Sequence, residues 1–273
     1  MIGMWARAAT VITFAVAMSW SCTRPSLAGD TDDSWRDIAN NAFNGRPLAN
    51  GSQFITLETP VRAEDAAVVP VTMRVSLPAG DARTLKSLTL VVDENPSPVA
   101  ATFNVGPGVT MISTRVRINS YTKVHAVAEL SDDKLYAVDT FVKASGGCSA
   151  PMASNVEEAT AELGQMRFRQ FAKTATEPAS SPREAQIMIR HPNNSGLQRD
   201  LVSMGYIPLF IVRQLRVWQG DQLVLEMDGG ISISENPNIR FSYRPNGANV
   251  FRAEAIDTEG HVFKNEWPAE PAT

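Results

Sequence analysis

The chain has 273 residues, and its 25 lysines and arginines against 29 aspartates and glutamates give a formal net charge of -4. An acidic chain without a basic stripe is not typical of a nucleic-acid-binding protein, so no nucleic acid partner is expected. Its only cysteines are Cys22 and Cys148, too few for a disulfide-stabilised framework.

The N-terminus has the pattern of a secretory signal peptide. One positive charge precedes an apolar run over residues 8–18, and Ser26-Leu27-Ala28 supplies the small residues of a cleavage site. The run is too short to span a bilayer. Lipidation at Cys22 is the alternative, which the bulky residue two positions earlier disfavours. We therefore expect an exported protein that is cut after Ala28.

Cleavage would leave a single cysteine. The mature chain keeps 23 basic and 29 acidic residues, because only two arginines and no acidic residue are removed. An exported protein that uses cysteines for stability needs them in pairs. The unpaired Cys148 is therefore a candidate for a reactive or intermolecular thiol.

One helix and a set of strands follow the signal peptide. Thr31 to Ser34 offer helix N-caps, and apolar residues at helical spacing then predict a short amphipathic helix that ends near Gly45. From Ile55 the apolar period changes to two, with turn clusters between the runs, which predicts an antiparallel β-sandwich. The alternating runs cover residues 71–77, 112–118 and 124–130.

The alternation stops after Lys143. Residues 144–164 are small, polar and acidic without apolar periodicity, so we expect an exposed linker with Cys148 near its start. Strand patterning then resumes and predicts a second, smaller sandwich. Its runs cover residues 166–168, 186–189, 207–217, 223–225, 239–243 and 250–255, with hairpin turns at 246–247 and 258–260.

Residues suited to catalysis or metal binding are sparse. His125, His191 and His261 are isolated in the sequence, without partners at metal-ligand spacing, so no metal, cofactor or enzyme site is predicted. We interpret the first two as ordinary surface or turn histidines. Arg115 and Arg117 alternate with apolar residues and could bind an anion, but the expectation is that both are solvated.

Cys148 is the exception, because it is flanked by Gly146 and Gly147 and has no bulky neighbour. A catalytic cysteine needs a histidine or a helix N-terminus to lower its pKa from about 8.5. The local sequence supplies neither. A carrier needs only access, which flexible glycines provide. The sequence thus predicts that Cys148 is the site of covalent substrate attachment, with Gly146 and Gly147 as its flexible neck.

Several strings resemble known sulfur-oxidation proteins. The first half is similar to the sulfur carrier subunit SoxY, and the second to its partner subunit SoxZ. The SoxY-like strings are 88–98, 100–103, 113–117, 127–129, 141–143 and 146–148, and the SoxZ-like strings are 191–192, 196–200, 207–208, 234–237 and 257–260. The whole resembles the SoxY–SoxZ fusions described as quinoprotein dehydrogenase-associated SoxYZ-like carriers.

The resemblance implies a mostly β protein, with two immunoglobulin-like β-sandwich domains joined by a flexible Cys-bearing linker. It implies a periplasmic, non-enzymatic carrier that presents sulfur intermediates on Cys148 to sulfur-oxidation enzymes or a quinoprotein dehydrogenase system. The expected division is a signal peptide (1–28), a SoxY-like domain with its N-terminal helix (29–143), a linker arm (144–164) and a SoxZ-like domain (165–273).

One departure concerns the arm itself. The family's arm ends Gly-Gly-Cys-Gly-Gly at a free C-terminus, whereas Cys148 is followed by Ser149-Ala150-Pro151 and a second domain. An internal segment must enter a partner's site as a loop two strands wide, which puts the identity of the cargo in question.

Two other functions remain open, a non-covalent scaffold in which the thiol is incidental and a thiol enzyme such as a reductase. A lone exposed thiol would also permit a disulfide-linked dimer.

Overall fold

The computed structural model describes residues 31–151, 161–172, 182–200 and 203–270. The predicted signal peptide and residues 152–160 of the predicted linker lie outside this part. Helix α1 covers Thr31–Ala42, as the apolar spacing predicts. The strands are β1 (Leu48–Asn50), β2 (Ile55–Glu58), β3 (Val69–Val75), β4 (Leu85–Val92), β5 (Val99–Val105), β6 (Met111–Val116), β7 (Thr122–Leu130), β8 (Leu135–Val142), β9 (Met166–Phe171), β10 (Arg183–Ile189), β11 (Val212–Gln219), β12 (Gln222–Gly229), β13 (Asn238–Tyr243), β14 (Val250–Asp257) and β15 (Val262–Pro268).

The strands form two facing sheets, and the fold is mostly β as predicted. The larger sheet has the order β1-β8-β7-β4-β5-β12-β11-β14-β15, and the smaller has the order β2-β3-β6-β13-β10-β9. Strands β1 to β8 make one immunoglobulin-like sandwich, and strands β9 to β15 make the second.

The two sandwiches share both sheets. Strand β5 pairs with β12 in antiparallel register from Val105 opposite Leu225 to Ala101 opposite Gly229. In the smaller sheet, β6 pairs with β13 through Ile112 opposite Phe241. One hydrophobic core therefore runs through both halves. The sequence predicted the two sandwiches but not this direct pairing, because each strand pattern reports only which face is buried.

Several strands follow the predicted alternation, since one face of each covers the core, but the predicted alternation is wrong for β7, which is buried on both faces from Val124 to Ala128. In β3, Val69, Val71, Met73 and Val75 are buried while the residues between them are more exposed. Strand β11 begins at Val212 rather than at Ile207 as predicted. Strand β15 was not predicted, because an exposed strand at the edge of a sheet has little apolar patterning.

Helix α1 packs on the outer face of the larger sheet. Ala39 of the helix and Phe43 just after its end form a buried apolar cluster with one residue each of β4, β7 and β8, namely Val91, Val127 and Leu135. The amphipathic stripe in the sequence thus covers a sheet face that points away from the core between the sheets. None of the described helices is long and apolar enough to cross a membrane.

The shared sheets predict that both halves unfold together. Phe103 on β5 is fully buried and lies opposite Met227 of β12. We expect Phe103→Ala to lower the free energy of unfolding by about 3–5 kcal/mol and to shift a single transition. Calorimetry and circular dichroism measure this, with Val61→Ala, at a residue that is 72% exposed, as the control. Two separate transitions, of which only one moves, would contradict the prediction.

Candidate functional site

Cys148 lies in a short 3-10 turn, Gly147–Ser149, and its side chain is fully buried. The expectation of an exposed arm is therefore wrong for this segment. The turn lies in a crevice between the two halves. Contacts between residues far apart in the chain form this crevice, so no local sequence pattern predicts it. We call this buried position of the turn and its thiol the docked state.

The two glycines let the turn enter this crevice. Gly146 has a φ of +80°, a left-handed conformation that side chains disfavour. A Cβ on Gly147 would lie 2.0 Å from the carbonyl oxygen of Ala66 and 2.7 Å from that of Ile118. The Gly147 N–H donates to the Ile118 oxygen at 3.0 Å, and the Gly146 N–H donates to Asn119 O at 2.8 Å. In the docked state Gly147 therefore serves close packing and Gly146 provides the left-handed backbone conformation, while their predicted role as a flexible neck remains a prediction.

The second half holds the other side of the turn. The Ser195 hydroxyl donates to the carbonyl oxygen of Cys148 at 2.5 Å, and the Gln198 side-chain amide donates to Ala150 O at 3.0 Å. Both side chains belong to buried residues, and Gln198 Oε1 accepts from the Ser195 N–H at 2.9 Å. This pair clamps the turn from the SoxZ-like side.

Arg117 lies beneath the turn and is only 1% exposed, so the expectation of a solvated arginine is wrong. Its Nη1 donates to Gly147 O at 3.5 Å and its Nη2 to Asn193 O at 3.3 Å, while its Nε has no hydrogen-bond partner among the described residues. The turn and the segment at Asn193 cover the end of β6, where the sequence pattern alone suggests an open face. Arg115 is half-buried and donates to Asn236 O at 3.1 Å.

Burial controls the chemistry of the thiol. It raises the pKa of Cys148 to about 11, and the positive charge of Arg117 only partly offsets that effect. The thiol is therefore protonated at neutral pH, and a thiolate nucleophile is not formed in the docked state. This electrostatic environment is the reverse of the one that a cysteine enzyme provides.

Two of the histidines lie together although the sequence separates them. His191 is buried, with its Nε2 at 3.6 Å from Asp257 Oδ2, and His261 Nδ1 lies 2.7 Å from the same oxygen. Burial lowers the pKa of His191 to about 4, so this ring is neutral. Its Nδ1 accepts the Asn193 N–H at 3.1 Å. The histidine cluster therefore supports Asn193, whose carbonyl oxygen accepts the hydrogen bond from Arg117.

The prediction that His125 is a plain surface residue is also wrong. It points away from the core between the sheets, as expected, but helix α1 covers it. Its Nε2 lies 3.0 Å from Asp93 Oδ2, and its ring stacks on Trp35 with centroids 3.6 Å apart. Among the described residues, no group of three or more histidines, cysteines and carboxylates is placed to hold a metal ion.

Sequence reasoning missed Arg117, Ser195 and Gln198 as site residues, although weak signals existed for two of them. Arg117 and Gln198 lie in the SoxY-like and SoxZ-like strings, so the resemblance could have marked them. Ser195 carried no such signal. Nothing in the sequence says that all three surround Cys148, because they come from both halves of the chain.

Two family models match the chain, one in each half. Residues 39–148 match the family described as sulfur oxidation protein SoxY, and residues 172–268 match sulphur oxidation protein SoxZ. The chain thus belongs to the SoxY and SoxZ families of sulfur-oxidation carriers. More particularly, it is a SoxY–SoxZ fusion, with the SoxY match ending at Cys148.

Solved structures give only partial matches. SoxY from Chlorobium limicola f thiosulfatophilum is 27% identical, with a TM-score of 0.36, over 42% of this chain and 94% of that one. A superoxide reductase from Ignicoccus hospitalis is 13% identical, with a TM-score of 0.29, over 33% and 79%. No curated protein shows significant similarity to the chain.

The close approach at Gly147 predicts that a side chain there loosens the turn. Gly147→Ala should raise the reaction rate of Cys148 with an aromatic disulfide such as DTNB by about 10-fold or more, since overpacking costs about 1–3 kcal/mol. Ser149→Ala is the control, because among the described residues the Ser149 hydroxyl bonds only to Gly146 O within the turn. It should change the rate by less than about threefold. Equal rates in the two variants would refute the docking role of Gly147.

The raised pKa of Cys148 predicts an alkaline loss of stability. The folded state keeps the proton up to about pH 11, whereas the unfolded thiol loses it near 9.0. The stabilisation is therefore complete below pH 9 and is lost as the pH rises through 11, by at most about 2–3 kcal/mol. Urea unfolding of the wild type and Cys148→Ala across this range measures it. Parallel pH profiles would contradict the prediction.

Proposed function

We propose that this protein is a periplasmic covalent carrier that holds a sulfur intermediate on Cys148 and presents it to partner enzymes. Membership of the SoxY and SoxZ families indicates a carrier role in sulfur oxidation. The observation that supports Cys148 most directly is its position at the end of the SoxY match, on a turn clamped by the second half. Export by a signal peptide cut after Ala28 belongs to the same proposal.

A carrier must expose the thiol that this structure buries. Five hydrogen bonds join the described part of the turn to its surroundings, from or to Ile118, Asn119, Ser195, Gln198 and Arg117. At about 1 kcal/mol each, they hold the turn closed by roughly 5 kcal/mol, so about one molecule in 10⁴ is open. A partner enzyme that binds only the released turn shifts the equilibrium towards this open state.

The docked state then protects the carrier between encounters. A buried, protonated thiol is a poor nucleophile, so stray oxidants and other thiols react with it slowly. The same burial opposes a disulfide-linked dimer, which forms only from the open state. A partner's active site supplies the positive charge that the thiolate needs once the turn is released.

The partners are proposed from chemistry and family. Sulfur-oxidation enzymes suit a thiol carrier, and a quinoprotein dehydrogenase system is the alternative that the fusion arrangement suggests. In either case the partner must accept a loop, because the chain continues beyond Cys148 into the second half.

The burial of Cys148 favours a second candidate function, a non-covalent binding or scaffold module accessory to a quinoprotein dehydrogenase. In that case the thiol is an incidental core residue. A pull-down of the dehydrogenase that survives Cys148→Ser unchanged would support this function over the carrier.

The carrier function predicts thiol-linked adducts on the native protein. Protein purified from the periplasm without reductant should show added mass on Cys148 by intact-mass spectrometry, and reductant should remove it. Cys148→Ser should carry no adduct and abolish sulfur-dependent activity, whereas Cys22→Ser should retain both. Free thiol under every growth condition, together with a fully functional Cys148→Ser variant, would overturn the proposal.

A further inference from the structure

Arg117 is a buried cation without a matching anion at hydrogen-bond distance in the described structure. Its exposure is 1%, its hydrogen bonds go to two carbonyl oxygens at 3.3 and 3.5 Å, and its Nε is unpartnered. A buried charge is expensive unless a counter-charge and good hydrogen bonds compensate it. Carbonyl dipoles at these distances compensate only part of that cost. The position therefore favours an anion beside the guanidinium.

The geometry directs that charge towards the thiol. Nη1 contacts Gly147, the residue before Cys148, and Arg117 directly follows strand β6, whose pairing with β3 and β13 holds the backbone at this point. The Arg117 N–H donates to Ser232 O at 2.7 Å, and Asn95 Nδ2 donates to Arg117 O at 2.7 Å. The guanidinium is thus held under the turn from both halves of the protein.

Electrostatics agree with this placement. Burial lowers the pKa of Arg117, and the charges of Glu235, Cys148 and Asp65 partly offset that effect. Cys148 contributes only when it carries a negative charge. A thiol proton removes that contribution, whereas an anionic group attached to the sulfur restores it at neutral pH.

We propose that Arg117 is the residue that recognises the charge of the group carried on Cys148, so that an anionic sulfur adduct stays docked and a neutral adduct of equal size does not. This inference rests on the proposed carrier function. It adds a selection rule for cargo, namely that persulfide and thiosulfonate anions are retained beneath the turn. Neutral groups such as thioesters push the turn outward. Arg117 is a binding residue here and takes no part in bond making.

Two alkylated forms of the protein test the rule. The full chain carrying Cys22→Ser is unfolded, alkylated at Cys148 with iodoacetate or iodoacetamide, and refolded. In both reactions the thiolate forms an S–C bond and displaces iodide. The products, carboxymethyl and carbamidomethyl cysteine, have the same number of heavy atoms and differ in charge. Intact mass verifies a single adduct in each sample.

The expected result is a thermal midpoint higher by about 4 °C for the anionic form. Arg117→Lys should keep part of this difference and Arg117→Gln should lose it. Arg115→Gln, two residues earlier on β6, is the matched control, and it should leave the difference unchanged. No difference in the wild type, or an equal difference in Arg117→Gln, would overturn the proposal.

A salt series covers the case in which Arg117→Gln fails to fold. A buried charge pair is screened weakly, so the wild-type difference should persist from about 0.05 to 1 M NaCl. A difference that vanishes over this range would assign it to surface charges and overturn the inference. Adducts on the native protein together with equal thermal midpoints of the two alkylated forms would contradict the role of Arg117 but support the carrier function. Unequal midpoints without adducts on the native protein would support the role of Arg117 and contradict the carrier function.

Discussion

The backbone pairing between β5 and β12 is the constraint on which the rest of the structure depends. Together with the β6–β13 pair, it joins two sandwiches edge to edge and lets one core run through both. An unpaired sheet edge is a liability that proteins cover, and here each half covers an edge of the other. The crevice that receives the Cys148 turn exists only because the halves are joined in this register.

That junction explains why the site draws on both halves. The floor of the crevice comes from Arg117 and Ile118 after β6, and the clamp comes from Ser195 and Gln198 of the second half. Fusion in one chain keeps these groups together at any protein concentration, which two separate subunits achieve only by binding. Because the turn is internal, the proposed release and redocking take place with the chain continuing on both sides of the turn.

Burial and charge act in opposite directions at the same sulfur. Desolvation keeps the thiol protonated, while Arg117 favours any negative charge that the sulfur acquires. In the proposed carrier function, the empty protein is therefore inert, and the attachment of a charged group changes this balance. The neutral His191 and the carboxylate of Asp257 lie behind Asn193 and support this arrangement from the second half.

The sequence by itself determined the helix and many of the strands, and it singled out Cys148 as the candidate site residue. Alternating burial in runs such as Val69 to Val75 follows from the two-residue period of a strand, and the unpaired Cys148 followed from counting. Only the tertiary structure decided that Cys148 is buried, that Arg117 lies under it and that His125 is covered by helix α1. These facts depend on contacts between residues far apart in the chain, such as Ser195 with Cys148, and local periodicity carries no information about such pairs.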